Sequence, residues 1–190
     1  MSPEIELIIR PDRTYAALAG RAAPIGAVRA LRRPLLVAVV IGTSSALSTT
    51  RHLTPALVFD TTLLLSVIVV AQVLIALALT GGAASRRMGR ACALDLFFAS
   101  HAPWSLWLLA SAVWVPRWFT LPAAPLNYAA IAPLVVTPRM IAAYFREVQG
   151  FDRRRAAIRT VVHQAVTWGL FVALFGAAVA VWPRILEALS

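Results

Sequence analysis

The stretch ALVFDTTLLLSVIVVAQVLIALALT, residues 56–80, decides the fold of this chain. It carries a single charged side chain, Asp60, close to its beginning. An α-helix rises about 1.5 Å per residue, so about 20 apolar residues cross the roughly 30 Å hydrocarbon layer of a bilayer. A soluble core does not need an apolar run of this length. The stretch therefore predicts a transmembrane helix, in which Gln72 is the one strongly polar interior residue.

The composition of the whole chain agrees with a membrane protein. Of its 190 residues, 60% are hydrophobic and 14% are charged, and the mean hydropathy is +0.77. A soluble domain is nearer to about 45–50% apolar and roughly 25% charged. The formal charge is +10, and all 18 residues counted as Lys or Arg are arginine. Because these arginines cluster beside apolar runs, they favour a membrane surface over nucleic acid as the partner.

Working outward from residues 56–80, further apolar runs predict an all-α, polytopic membrane protein with a bundle of five transmembrane helices. Residues 1–33 are predicted to form a basic amphipathic arm, and residues 34–190 the transmembrane domain. A re-entrant third segment would leave four spans instead, but it would place the arginine-rich loop at 146–159 on the outer side. The five predicted spans cover residues 34–50, 56–80, 91–115, 122–144 and 160–182.

The arginines also predict the orientation of the chain. With five spans, 15 of the 18 arginines lie on the side of the N-terminal arm and of the second and fourth loops. Only Arg51, Arg117 and Arg184 lie on the other side. Cytoplasmic loops of membrane proteins are enriched in basic residues. The N-terminus is therefore predicted in the cytoplasm and the C-terminus outside.

The N-terminal arm predicts a short amphipathic helix. Thr14 can cap a helix over residues 15–23, before Pro24 interrupts it. A basic amphipathic segment ahead of a span usually lies in the membrane interface. A disordered basic arm is the alternative. The apolar stripe of the helix would consist of Tyr15, Leu18, Ala19 and Ala22.

Asp95 is the first candidate for function, because a carboxylate inside a span is costly to bury. It lies about five residues from the cytoplasmic end of the third span, and Arg139 lies at a similar depth in the fourth. An ion pair between Asp95 and Arg139 is one interpretation. Extension of the carboxylate to the interface is the second, and handling of protons or ions is the third.

His101, near the middle of the third span, is the second candidate. Pro103 should kink this helix and free a carbonyl group, which Ser100 or His101 could help to satisfy. Alternatively, a histidine here could shuttle protons. His163, near the inner end of the fifth span, is predicted to be interfacial. The complete set of intramembrane polar candidates is Asp95, Arg139, His101 and Gln72.

Two spans carry small residues at every fourth position, a spacing that lets helix backbones approach closely in membranes. Both faces are predicted to be buried in the bundle. In the first span the small residues are Ala38, Gly42 and Ala46. In the fifth span they are Ala165, Gly169 and Ala173.

Motifs of common enzymes are missing from the sequence. It contains no GxxxxGK[ST] loop, no HExxH pair and no GxSxG elbow. Neither a cofactor nor a metal is therefore predicted. The basic surface instead predicts contact with anionic lipid headgroups. The arginines predicted to make this contact are Arg32, Arg33, Arg86, Arg87, Arg153, Arg154 and Arg155.

Three stretches resemble the bacterial branch of the Yip family, five-pass membrane proteins named for interacting with Ypt/Rab GTPases. RPDRTYAALAG at 10–20 looks like the family's Pro-Arg-aromatic start. GGAASRRMGRACALDLFFASHAPWSLW at 81–107 looks like its Gly-Gly loop and following helix, and YFREVQGFDRRRAAIRTVV at 144–162 looks like the basic turn before its last span. The resemblance implies a five-helix bundle in the bacterial inner membrane and no enzyme activity. The long N-terminal domain of eukaryotic members has no counterpart in residues 1–33.

The sequence thus predicts a non-catalytic membrane scaffold or accessory subunit that binds lipid, a partner membrane protein or a second copy of itself. The alternative is a small transporter or channel component that uses the polar residues of the second and third spans, since broken helices often line transport sites. An enzyme acting on lipid is the third hypothesis, which the missing catalytic motifs disfavour.

Overall fold

The computed structural model describes residues 3–81, 88–114 and 128–189, and these residues form helices and short connections without any strand. They include a 3₁₀ turn, Ala99–His101, and a π-helical segment, Tyr144–Val148. The all-α prediction is confirmed. The helices are α1 Pro3–Ile9, α2 Pro11–Arg21, α3 Ala27–Ala30, α4 Arg32–Thr50, α5 Pro55–Leu79, α6 Arg90–Phe98, α7 Ala102–Trp114, α8 Ile131–Ala143 and α9 Arg153–Leu189.

Four stretches of the described chain are helical, long and apolar enough to cross a membrane, and they coincide with the predicted first, second, third and fifth spans. This is what a polytopic membrane protein requires. Residues 122–127 of the predicted fourth span lie outside the described residues, and α8 is 13 residues long. The count of five therefore stays a prediction. The four stretches are Ala27–Thr50, Pro55–Leu79, Arg90–Val113 and Arg153–Val181.

Helices α4 and α5 pack closely because α4 turns its small residues toward α5. Ala38, Gly42 and Ala46 are all buried. A Cβ atom at Gly42 would lie 2.2 Å from Oγ1 and 2.6 Å from Cα of Thr62. The neighbouring Thr61 hydroxyl donates to the carbonyl oxygen of Gly42 at 2.9 Å. Only glycine allows this approach of the two backbones.

The same spacing on α9 has a different outcome. Ala165, Gly169 and Ala173 are exposed, and nothing lies within 4 Å of a Cβ atom built on Gly169. The prediction that this face is buried in the bundle is wrong for this chain. Helix α9 instead turns His163 and Thr160 inward, both of them buried. The small residues lie on its outer surface.

The third membrane-crossing stretch changes helix type where the sequence predicts a kink. The 3₁₀ turn Ala99–His101 comes directly before Pro103, which is the second residue of α7. Proline has no N–H group and its ring displaces the carbonyl of the fourth residue before it, so the helix cannot continue undisturbed. The Ser100 hydroxyl donates to the carbonyl oxygen of Phe97 at 2.7 Å. Ser100 thus satisfies a backbone group at this joint.

The N-terminal arm is docked on the bundle. Helix α2 begins at Pro11 and not at Tyr15, and Thr14 is no cap, because its hydroxyl donates back to the carbonyl of Arg10 at 2.9 Å. Tyr15 is fully buried. The arm therefore forms a helix that packs against the bundle, and its place in the membrane interface stays a prediction. The rest of the predicted stripe, Leu18, Ala19 and Ala22, packs against the core of the protein.

Gly42 and Gly169 offer a matched test of this packing. We expect Gly42→Ala to lower the free energy of unfolding by about 1–3 kcal/mol, because the new methyl group must displace the Thr62 backbone. Gly169→Ala should be neutral or stabilising by up to about 1 kcal/mol, because it meets no neighbour and alanine favours a helix. Unfolding of the purified protein in mixed micelles measures both. Equal losses from both variants would contradict the described packing.

Candidate functional sites: a basic end and a buried histidine cluster

Phe97, on α6, is the centre of the buried aromatic residues. Its side chain is fully buried. The centroid of its ring lies 5.4 Å from that of Tyr144, 5.4 Å from that of His101 and 5.2 Å from that of His163. These edge-on and tilted arrangements are the ones that aromatic quadrupoles favour. Phe97 therefore joins α6, the 3₁₀ turn, the π-helical segment and α9 in one core.

Two tyrosine hydroxyls donate hydrogen bonds to the backbone of α6. One tyrosine precedes α6 in the chain and the other follows it. Tyr15 donates to the carbonyl oxygen of Leu96 at 3.3 Å, and Tyr144 donates to that of Ala93 at 2.9 Å. The Gln149 side-chain amide donates to the Tyr144 hydroxyl at 2.6 Å. Burial raises the pKa of Tyr15 above its ordinary value, so this hydroxyl stays protonated and can donate. The arm and the π-helical segment are thus both attached to α6.

An ion pair attaches the beginning of α4 to α6. Arg33 Nη1 lies 2.7 Å from Asp95 Oδ2 and donates to the Asp95 carbonyl oxygen at 3.1 Å. The predicted partner, Arg139, is exposed and makes no ion pair with Asp95. The Asp95–Arg139 pair is therefore wrong. Asp95 and Arg139 lie at similar depths in their predicted spans, which made an ion pair between them possible. In the structure, Arg33 is the arginine that lies beside Asp95.

Two further arginines join helix ends. Arg146, in the π-helical segment, pairs with Asp12 of α2. Arg159 of α9 donates to the carbonyl oxygen of Leu79, the last residue of α5, and its guanidinium carbon lies 4.5 Å from the centroid of the Phe151 ring. A cation at a helix C-terminus is favoured by the helix dipole. Helices α4, α6 and α9 therefore begin at one end of the bundle, and α5 and α8 finish at the same end.

We call this end of the bundle the basic end. Arg33, Arg146 and Arg159 are engaged there in the contacts described above. Arg155 pairs with the exposed Asp152 at 3.4 Å. Arg86 and Arg87, also predicted to contact lipid, lie outside the described residues. The exposed arginines on the segments that meet at this end are Arg10, Arg13, Arg21, Arg29, Arg32, Arg90, Arg153, Arg154 and Arg155.

Deeper in the bundle, Gln72 of α5 joins two side chains of α9. Its amide nitrogen donates to the Thr167 hydroxyl at 3.0 Å, and its amide oxygen lies 3.1 Å from His163 Nε2. An amide oxygen only accepts, so His163 Nε2 must carry the proton. In the neutral imidazole, His163 Nδ1 is then an acceptor, and it is buried without a hydrogen-bond partner among the described residues. His163, predicted to be interfacial, is buried among the helices, where its side chain is 2% exposed.

His101 lies next to His163. The centroids of the two rings are 6.2 Å apart, and the His101 ring stacks on Phe98 at 5.0 Å. His101 Nδ1 lies 3.4 Å from the Ser100 hydroxyl oxygen. That hydroxyl already donates to the carbonyl of Phe97. His101 Nδ1 is therefore the donor to Ser100.

Gln72, His163 and His101 form what we call the histidine cluster. Among the described residues, no group of three or more His, Cys, Asp or Glu side chains could hold a metal ion. The cluster offers a buried imidazole nitrogen without a partner among the described residues, His163 Nδ1, which can accept a hydrogen bond or bind a proton. Sequence patterns did not pair His163 with Gln72, although Thr160, His163 and Thr167 lie three or four positions apart and give α9 a polar stripe.

Comparison with protein-family models, curated proteins and solved structures gives no match to this chain.

A double-mutant cycle tests the histidine cluster. We expect Gln72→Leu and His163→Leu to be coupled by about 0.5–1.5 kcal/mol, because either change removes the same interhelical hydrogen bond. The measurement is the free energy of unfolding in mixed micelles. Ser66→Ala paired with His163→Leu is the control, since Ser66 bonds the carbonyl of Leu63 within α5. This control pair should be additive, and additivity in both cycles would show that Gln72 and His163 do not interact.

Proposed function

We propose that this chain is a non-catalytic integral membrane protein that holds anionic lipid at its basic end and acts as a scaffold or accessory subunit for a partner membrane protein. The observation that carries this proposal is the concentration of exposed arginines where α4, α6 and α9 begin. Each well-placed arginine attracts an anionic membrane surface by about 1 kcal/mol. Several such arginines together bind an anionic leaflet more tightly than a neutral one.

In this proposal the basic end faces the cytoplasm of a bacterium, with the N-terminus inside and the C-terminus outside. The positive-inside rule favours this orientation. The resemblance of three stretches to the bacterial Yip branch agrees with a five-pass protein without an enzymatic reaction. The predicted fourth span, residues 122–144, would then supply the remaining pass.

Helix α9 is the surface for a partner membrane protein. Its exposed small residues, Ala165, Gly169 and Ala173, lie among exposed apolar side chains that include Val166 and Phe171. Without a hydrophobic force between helices in lipid, association depends on close backbone approach, and small residues permit it. The face therefore suits a second transmembrane helix.

A small transporter or channel component is the second candidate, and the histidine cluster favours it. His163 Nδ1 is a buried acceptor without a partner among the described residues. A buried imidazole in a membrane can take up a proton along a pathway. Coupling of proton flux to His163 in reconstituted vesicles would favour this candidate over the scaffold.

Charge reversal at the basic end tests the lipid-binding proposal. We expect Arg153→Glu, Arg154→Glu and Arg155→Glu together to reduce the anionic lipid retained by the purified protein at least about tenfold, because three attractive charges become repulsive. Native mass spectrometry measures retained phosphatidylglycerol against a zwitterionic lipid. Arg154→Glu and Arg51→Glu form a matched single-residue pair, since Arg51 lies at the far end of α4. Unchanged retention in the triple variant, or equal losses from the two single variants, would reject the basic end as the lipid surface.

A further inference from the structure

The hairpin of α1 and α2 encloses a groove of about 380 Å³, which we call the arm groove. At about 30 Å³ of liquid volume per water molecule, it has room for a phosphate group and its surrounding waters. It does not overlap the histidine cluster. Its lining residues are Glu6, Arg10, Arg13, Thr14, Ala17, Leu18 and Arg21.

Three of these lining residues are arginines with exposed side chains, Arg10, Arg13 and Arg21. None of the three lies within 4.0 Å of a carboxylate oxygen in the described part of the chain. Glu6 is the one acidic residue of the lining. The net charge of the groove is thus +2, on guanidinium groups, which bind phosphate with paired N–H donors.

The spacing along α2 explains why these side chains converge. Residues 10, 13, 17 and 21 lie three or four positions apart, and such residues share one face of a helix. The neighbouring stripe, which contains Tyr15, is buried against the bundle. Docking of Tyr15 therefore fixes the arginine face outward and toward α1.

The surroundings of the arm groove favour a lipid over a soluble anion. Ile5 and Ile9 of α1 are about half exposed, at 49% and 51%. Ile5 directly precedes Glu6 in the sequence, and Ile9 directly precedes Arg10. An exposed apolar pair beside basic side chains is typical of a segment that inserts into the headgroup region of a membrane. The arm groove lies at the basic end, because Asp12 of the same helix pairs with Arg146.

We propose that the arm groove binds the phosphate of an anionic phospholipid, and that a phosphomonoester headgroup, as in phosphatidic acid, binds more tightly than a phosphodiester headgroup. This inference rests on the proposed function, because it makes one part of the basic end selective for one class of lipid headgroup. A phosphomonoester carries about −1.5 to −2 charges near neutral pH and a phosphodiester carries one. The monoester therefore matches the net charge of +2.

The test measures affinities of short-chain phosphatidic acid and phosphatidylglycerol for the full chain in detergent by native mass spectrometry. For the unmodified protein we expect phosphatidic acid to bind more tightly. Arg10→Gln, Arg13→Gln and Arg21→Gln together should abolish this preference and weaken phosphatidic acid binding at least about tenfold. The matched control, Arg153→Gln, Arg154→Gln and Arg155→Gln, should weaken both lipids and keep the preference. Glu6→Gln should tighten phosphatidic acid binding about threefold to tenfold, because it removes the one negative charge of the lining.

The other outcomes separate this site from the proposed function. A preference that survives in the Arg10, Arg13 and Arg21 variant, or that both triple variants lose equally, overturns the arm groove and leaves lipid binding by the basic end intact. Competition by inorganic phosphate at the same concentration as the lipid overturns the lipid assignment, because the groove would then take free phosphate. Failure of the unmodified protein to retain anionic over zwitterionic lipid overturns the proposed function itself.

Discussion

The hydroxyls of Tyr15 and Tyr144 hold the basic end together. Both donate to backbone carbonyls of α6, one from the N-terminal arm and one from the segment that follows α8. In an apolar interior, a hydroxyl without a partner costs free energy, so each of these bonds fixes the element that carries it. The π-helical turn at Tyr144–Val148 places Tyr144 and Phe145 in the core together, and Phe97 packs against both rings. The position of the arm, and with it that of the exposed arginines on α2, follows from the Tyr15 hydrogen bond.

Polar groups then occur at two depths in the bundle, and their chemistry differs. At the end, Arg33, Arg146 and Arg159 bind a carboxylate or a helix C-terminus while other arginines stay exposed. About 10 Å deeper along α5, Gln72 and His163 exchange a hydrogen bond between neutral groups. Charges are less costly near the membrane surface and neutral pairs are tolerated below it. The fold thus separates an exposed basic surface from a buried cluster that joins α5 to α9.

Sequence patterns predicted the helices well and the neighbours of each helix poorly. Length and hydropathy locate four membrane-crossing stretches, because crossing the hydrocarbon layer requires them in any arrangement. Small-residue spacing is the same on α4 and α9, yet among the described residues only the α4 face has a packing partner. The spacing identifies a face and not what packs on it. Asp95 has two arginines at compatible depth, and the lateral order of the helices selects Arg33. The docking of the arm could have been predicted better from the sequence. Pro11 is a good first helical residue, and a tyrosine in a basic arm has an apolar ring to bury.

The N-terminal arm and the beginning of α9 are both placed at the basic end. The most direct test of this arrangement is the accessibility of single cysteines in intact bacterial cells. Cys92 is the one natural cysteine and is buried, so Cys92→Ala provides a background without a reactive thiol. Arg21→Cys, Arg51→Cys and Arg154→Cys are then treated separately with a membrane-impermeant maleimide. We expect Arg51→Cys to be labelled from outside, and Arg21→Cys and Arg154→Cys to be labelled only after the membrane is opened. Labelling of Arg154→Cys from outside while Arg21→Cys stays protected would place the two arginine-rich segments on opposite sides and contradict a shared basic end.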